Sequence, residues 1–271
     1  MTAGPSSTSP SKSTLNQPLT KTNNVTSTTD AGDSSITSLP PPNSPRTISS
    51  GLLPFFQNSV VKFALSSVIA LYILNQNHLL PKPLSAIVSK TLFWPTLPIT
   101  MVKRINKWSN TQIDDTVVMG GAPFNFLNIP NKLYHDYNVR GVINLCEEYK
   151  GPTKIYDQLG IQELWLPTTD HFEPSVGDLI KAVKFIQQYK DENTARETPE
   201  RVYIHCRAGH GRSAAVVYAW LLSQERDIEN VDMKRLNEKL SSLRNVRTGL
   251  WKQPNVNKFR SWLELRGMKS E

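Results

Sequence analysis

The sequence predicts an α/β domain, a central and mostly parallel sheet flanked by helices, set behind a disordered leader and one apolar helix. Three observations carry this reading. Short β-type runs alternate with stretches of helical periodicity from about Trp108 onward. An apolar run at Val202 passes through a glycine-containing loop straight into a second apolar run, Ala214 to Leu222, which reads as strand, tight loop and helix. The composition also changes abruptly near residue 51.

Residues 1–50 hold 22 Ser or Thr, seven Pro, three cations (Lys12, Lys21 and Arg46) and no aromatic residue. Such a segment cannot bury a core, so disorder is expected. Residues 51–100 are expected to associate with a membrane. Pro54 to Leu80 can run as one helix, opened by Pro54 and stopped by Pro81, most apolar from Phe63 to Leu74. A bilayer span takes about 20 residues, so the stretch qualifies only if Lys62 snorkels and Gln57 and Asn58 sit at an interface. A helix lying on a membrane or docked on the folded domain that follows is the alternative. Leu92 to Ile99 continues the apolar character, with Phe93 and Trp94 suited to an interface.

Residues 101–271 are expected to form the folded α/β domain. Thr116 to Met119, Gly141 to Leu145 and Ile161 to Leu166 read as short strands, with Val202 to His205 as the buried central one. Ser175 and Asp178 resemble a capping box opening a helix with Leu179, Ile180, Val183 and Ile186 on one face. Further helices are expected near Val231 to Leu243 and from Pro254 to about Leu265.

The 31 Lys and Arg exceed the 23 Asp and Glu by eight, which favours acidic surfaces, but no basic run with interleaved aromatics marks a nucleic-acid site. The two cysteines, Cys146 and Cys206, are too few for a disulfide framework or a zinc site. Cys146, at a strand end, reads as core, and His135, His171 and His210 have no ligand spacing.

The stretch VYIHCRAGHGRS, Val202 to Ser213, carries the chemistry. A loop at a helix N-terminus aims backbone N–H groups and the positive end of the helix dipole at an anion. Here that loop is Arg207, Ala208, Gly209, His210, Gly211 and Arg212. Cys206 in this field is expected to be a thiolate nucleophile at neutral pH, and the Arg212 fork can bind two phosphate oxygens and align the phosphorus with the sulfur. The leaving oxygen needs a proton. Asp170, in the loop between the strand ending at Leu166 and the helix at Ser175, is the expected general acid, with Glu173 as its competitor. Read blandly, Cys206 is a buried cysteine and Asp170 a turn former. Trp251 and Lys252 are candidates for contact with a lipid headgroup, a packed aromatic being the simpler reading. Glu147 and Glu148 read as structural, pairing with a loop arginine such as Arg207.

His205, Cys206, Gly209, Arg212 and Ser213 match the H-C-x-x-G-x-x-R-S loop, and the chain thereby resembles the cysteine-dependent protein tyrosine phosphatase superfamily. IDDTVVMGGAP (113–123), NVRGVINLCEEY (138–149) and LPTTDHFEPS narrow the resemblance to the mitochondrial phosphatidylglycerophosphate phosphatase group within the dual-specificity phosphatases. The resemblance implies a protein tyrosine phosphatase-like fold and metal-free, cofactor-free hydrolysis through a phosphocysteine. Cys206 is then the nucleophile, Arg212 the phosphate binder, Asp170 the acid, Ser213 the hydroxyl that assists the departing thiolate, and His205 the residue that orients the loop. Phosphatidylglycerophosphate is the leading substrate, a phosphoprotein or phosphoinositide the alternative, and a silent phosphate-binding module the reading from another class. The implied location is the mitochondrial inner membrane, with a plastid or another intracellular membrane as competitor. The chain departs from the group at Arg207, His210, Asn255 and Val256, which bears on substrate preference.

Overall fold

A computed structural model describes residues 59–77, 79–103 and 110–267. The expected leader, residues 1–50, and the expected helix start at Pro54 lie outside the described residues. The elements are α1 (Ser59–Gln76), α2 (Lys82–Lys103), β1 (Thr111–Gln112), β2 (Val117–Gly120), a short 3₁₀ turn (Asn125–Leu127), α3 (Ile129–Asp136), β3 (Val139–Cys146), α4 (Thr153–Leu159), β4 (Gln162–Thr168), α5 (Val176–Asn193), β5 (Arg201–His205), α6 (Arg212–Ser223), α7 (Met233–Leu243), a second 3₁₀ turn (Leu250–Lys252) and α8 (Pro254–Gly267).

The sheet has five strands in the order β1-β2-β5-β3-β4. β1 is antiparallel to β2, and every other pairing is parallel. β5 lies between β2 and β3, so its Val202, Tyr203 and Ile204 are buried on both faces, as its unbroken apolar run requires. Parallel strands all end on one side. The loops after β3, β4 and β5 therefore emerge together, and these loops carry Glu147 and Glu148, Asp170, and Cys206.

α6 is the core helix. All its residues from Arg212 to Trp220 are buried, packed against α5, α7 and the sheet. α5 is capped as its sequence predicts, with the Asp178 N–H donating to Ser175 Oγ at 3.1 Å and Leu179, Val183 and Ile186 turned inward. α7 starts two residues later than expected, where Asp232 accepts from the Arg235 N–H at 2.9 Å. Trp251 packs against the main core with Lys252 Nζ 4.9 Å from its ring centre, so the simpler reading of that pair holds.

The N-terminal apolar region is two helices. The chain turns after Gln76 and re-enters helix at Lys82, running through Pro95 and Pro98 to Lys103, with the Thr96 and Thr100 hydroxyls donating to the carbonyls one turn back, Leu92 O and Thr96 O. The domain boundary expected at residue 100 falls inside α2. Phe93 and Leu97 are fully or almost fully buried (0% and 4% exposed), forming a core cluster with Ala122 and Phe124 of the sheet side. α2 is thus built into the catalytic domain, because its apolar stripe has a partner in the Phe124 and Tyr149 rings. α1 is different. Its one buried residue is Asn75, and Val60, Phe63, Leu65, Ile69 and Ile73 are at least half exposed.

Candidate active site

The loop between β5 and α6 is shaped by bonds to its carbonyls. Arg207 O accepts from the Ala122 N–H at 3.1 Å and His210 O from the Arg247 N–H at 2.9 Å. Arg244, buried, donates from Nε to Gly209 O at 2.8 Å, from Nη2 to Ala208 O at 3.4 Å, and from Nη1 to Thr111 Oγ1 at 3.1 Å. With carbonyls held outward, the N–H groups are left for an anion in the cavity. Gly209 has φ +62°, and a Cβ there would lie 2.4 Å from Gly120 O, so no other residue fits.

Cys206 is buried at the base of this cradle with its Sγ 3.3 Å from Ser213 Oγ. Burial alone would raise its pKa. The Arg212 charge, the Ser213 hydroxyl and the backbone N–H groups of Ser213 and His210 outweigh it and hold the thiol below its ordinary value. Cys146, at the end of β3, is the contrast: burial and Glu148 push its thiol well up, leaving it inert. His205 is fully buried and stacks on Tyr203 with ring centres 5.7 Å apart. Burial lowers its pKa to about 3, so the imidazole is neutral.

Arg212 is the electrostatic centre. It donates to Glu148 through Nη1 to Oε2 at 2.8 Å and Nη2 to Oε1 at 2.6 Å, a two-pronged pair with both side chains almost fully buried. Nη1 also donates to Thr168 O at 2.8 Å, and Nη2 lies 3.0 Å from Asp170 Oδ1. Burial would raise the Asp170 carboxyl, but Arg212, followed by His171 and Arg207, pulls it below its ordinary value. His171 has φ +68°, its N–H donates to Asp170 Oδ1 at 3.1 Å, and its Nε2 lies 3.6 Å from Oδ2. Glu173 is otherwise engaged. It accepts from the Asn255 N–H at 3.0 Å, and burial raises its pKa.

One of the two glutamates pairs with a loop arginine as expected, but that arginine is Arg212 rather than Arg207, and the other pairs with a lysine of α2. Glu148 takes Arg212, while Glu147 takes Lys90 Nζ at 3.0 Å and the Thr169 hydroxyl at 2.8 Å. Arg207 turns instead to α2, donating from Nη2 to Phe93 O at 3.2 Å and to Thr96 Oγ1, with its guanidinium 5.2 Å from the Phe93 ring centre. Asn144 shapes the turn that aims the glutamates. Its Oδ1 accepts from the Cys146 N–H at 2.9 Å, and its Nδ2 donates to Tyr149 O at 3.0 Å. Of these, Arg244 and Asn144 gave no local signal in the sequence, since their partners lie far along the chain or on backbone atoms.

Cys206, Arg212 and Asp170 face one cavity of about 350 Å³, together with Arg207, Ala208, His210 and Gly211 of the loop. Its further walls are His171, Phe172 and the competing acid Glu173 beside Asp170, Tyr72 and Gln76 of α1, Ile99, Thr100 and Lys103 of α2, and Arg247 and Gln253 beyond α7. His135 is exposed on α3, away from it. Among the described residues no group of three or more His, Cys, Asp and Glu could hold a metal ion.

Residues 127–263 match the dual specificity phosphatase catalytic domain. Over 150 residues, 51% of this chain and 71% of the relative, the chain is 34% identical to the human phosphatidylglycerophosphatase and protein-tyrosine phosphatase 1. It is also 34% identical over 144 residues to the Arabidopsis thaliana phosphatidylglycerophosphate phosphatase PTPMT2, covering 50% of this chain and 58% of that one. A crystal structure of PTPMT1 superposes with a TM-score of 0.50 at 29% identity, over 59% of this chain and 99% of the other. The fold, the loop and these likenesses agree: the chain belongs to the dual-specificity phosphatase family and is a cysteine-dependent phosphatase.

Proposed function

We propose that Cys206 is the nucleophile, Arg212 the phosphate binder, Asp170 the general acid, and phosphatidylglycerophosphate the substrate. The observation that carries the reaction is the convergence of Cys206, Arg212 and Asp170 on one cavity. The thiolate attacks phosphorus, forming the S–P bond as the P–O bond to the glycerol oxygen breaks, and Asp170 delivers its proton to that oxygen. Water then attacks the phosphocysteine, losing its proton to Asp170. The Ser213 hydroxyl donates to Cys206 Sγ as the thiolate departs. His205 supports the loop from beneath by packing on Tyr203.

Beside Arg212, Asp170 is held ionised, and an ionised carboxylate is no acid. Phosphate resolves this. An incoming phosphate oxygen takes Asp170's place at Arg212 Nη2 and neutralises the guanidinium. With the largest lowering influence offset, burial and the phosphate's own charge outweigh the remaining pull of His171 and Arg207 and raise the Asp170 pKa until it carries the proton.

A lipid substrate is supported by the names of the relatives, which are phosphatidylglycerophosphatases, and by the apolar helices whose Tyr72 and Ile99 line the cavity. The apolar, exposed surface of α1 supports a membrane location, which on this reading is the mitochondrial inner membrane implied by the sequence resemblance. The catalytic unit on this reading begins with α2 rather than at residue 101. Phosphate release from phosphatidylglycerophosphate vesicles, phosphoinositide vesicles and a phosphotyrosine peptide tests it: turnover of the first is expected to exceed the others by at least tenfold, and preference for the peptide would refute the lipid assignment.

A further inference from the structure

α1, α2 and the catalytic cavity share a wall formed by Tyr72, Gln76, Ile99, Thr100 and Lys103. α1 is 18 residues long, about 27 Å at 1.5 Å per residue, close to the roughly 30 Å of hydrocarbon in a bilayer. Its apolar side chains are bare all round, from Val60 and Phe63 (73% and 76% exposed) to Ile73. A helix that is apolar on every side has no stripe with which to lie on a domain or on a membrane surface; hydrocarbon is the medium that satisfies it. Residues 59–103 hold four lysines, Lys62, Lys82, Lys90 and Lys103, and no acidic residue, which complements anionic headgroups.

The polar end of α1 is fastened. Asn75 is buried, accepting from Ser85 Oγ at 2.6 Å and donating from Nδ2 to Ser89 Oγ at 3.1 Å, so α1 and α2 form a clasp. That same end, through Tyr72 and Gln76, lines the catalytic cavity. α2 in turn grips the phosphate loop through Arg207 and the Glu147 loop through Lys90. The helix that suits hydrocarbon therefore meets the cavity at the end where its polar residues begin.

Building on the lipid-phosphatase reading, we propose that α1 inserts into a bilayer and that the Asn75 clasp holds the cavity mouth at the headgroup level of the leaflet it enters. The substrate is then a lipid of that same membrane, taken sideways from the leaflet, with Tyr72 at the interface and Lys103 on the headgroup phosphodiester.

The full chain bound to substrate-free vesicles, then mixed with separate vesicles of phosphatidylcholine and phosphatidylglycerophosphate, is expected to release phosphate at least tenfold more slowly than when enzyme and substrate share a vesicle. Equal rates would overturn the proposal. Asn75→Leu is expected to keep vesicle binding yet lower the ratio of lipid to aryl-phosphate turnover, whereas Ile69→Asp lowers both vesicle binding and that ratio; an unchanged ratio in both would also overturn it. Placement is read without turnover by a fluorophore on Lys103→Cys in a Cys206→Ser background. Quenching by headgroup-nitroxide lipid is expected to exceed quenching by a nitroxide at the acyl-chain end, and absence of headgroup quenching contradicts the proposal. If the parent ignores lipid in either arrangement while the probe is quenched at headgroup depth, the substrate reading fails and the placement stands.

Discussion

Glu148→Ala probes the electrostatic centre most sharply. Both side chains of the Arg212–Glu148 pair are almost fully buried, with two charge-assisted bonds of 2.6 and 2.8 Å. Removing one member of such a pair leaves a buried charge undercompensated, a cost of about 3 to 5 kcal/mol. Asp170 stays beside Nη2 but contacts one nitrogen only. For a domain of this size about 2 to 4 °C of Tm accompanies each kcal/mol, so a fall of roughly 6 to 20 °C is expected. The loss also frees the guanidinium to rotate about its remaining bonds to Thr168 O and Leu145 O. Misplacement of a phosphate binder by about 1 Å costs on the order of 10²-fold in kcat/KM. Glu148→Gln keeps one oxygen to accept and should lose roughly half as much stability. Thermal unfolding and aryl-phosphate kinetics measure both effects. If Glu148→Ala melts within about 2 °C of the parent and keeps kcat/KM within threefold, the backbone carbonyls orient Arg212 and the reasoning is wrong.

Cys206→Ser is expected to fold and bind phosphate but lose turnover, since a hydroxyl is barely ionised at neutral pH; activity within tenfold of the parent would remove Cys206 from the mechanism. Asp170→Asn is expected to slow glycerol-type leaving groups far more than a nitrophenolate and to abolish the fall of kcat at high pH; equal losses on both substrates would turn attention to Glu173. His205 titrates near 3 in the fold and near 6.5 unfolded, so the unfolded chain binds the extra proton between those values and stability falls as pH drops through that window. Urea unfolding should show about 2 kcal/mol lost between pH 6.5 and 5, a slope that His205→Gln flattens. A chain beginning at residue 101 loses the burial of Phe93 and Leu97, about 3 to 6 kcal/mol, whereas one beginning at residue 79 keeps α2; equal Tm values for the two would contradict the packing of α2.

The sheet was legible because β2, β3 and β5 hold short apolar stretches, Val117 to Met119, Val142 with Ile143, and Val202 to Ile204, and a strand buried on both faces leaves that mark. The phosphate loop was legible because a tight anion cradle needs glycine at Gly209 and a fixed spacing from Cys206 to Arg212. The grip of α2 on the domain was not. Lys82–Lys103 contains two interior prolines, Pro95 and Pro98, and an apolar surface that reads as membrane-seeking, and its partners, Phe124 and Tyr149, lie far along the chain. The same distance hid the choice between Arg207 and Arg212 for Glu148. Spacing identifies a cation near a turn, but only the β3–β4–β5 register decides which guanidinium that carboxylate meets.

The central claim is that phosphate passes through Cys206. Rapid acid quench of the enzyme with ³²P-labelled substrate, followed by peptide mapping, tests it directly. Label is expected on the peptide containing Cys206, appearing before free phosphate, absent in Cys206→Ser, and lost to water at the turnover rate. Label on any other residue, or steady turnover with no labelled protein at any time, would contradict the account.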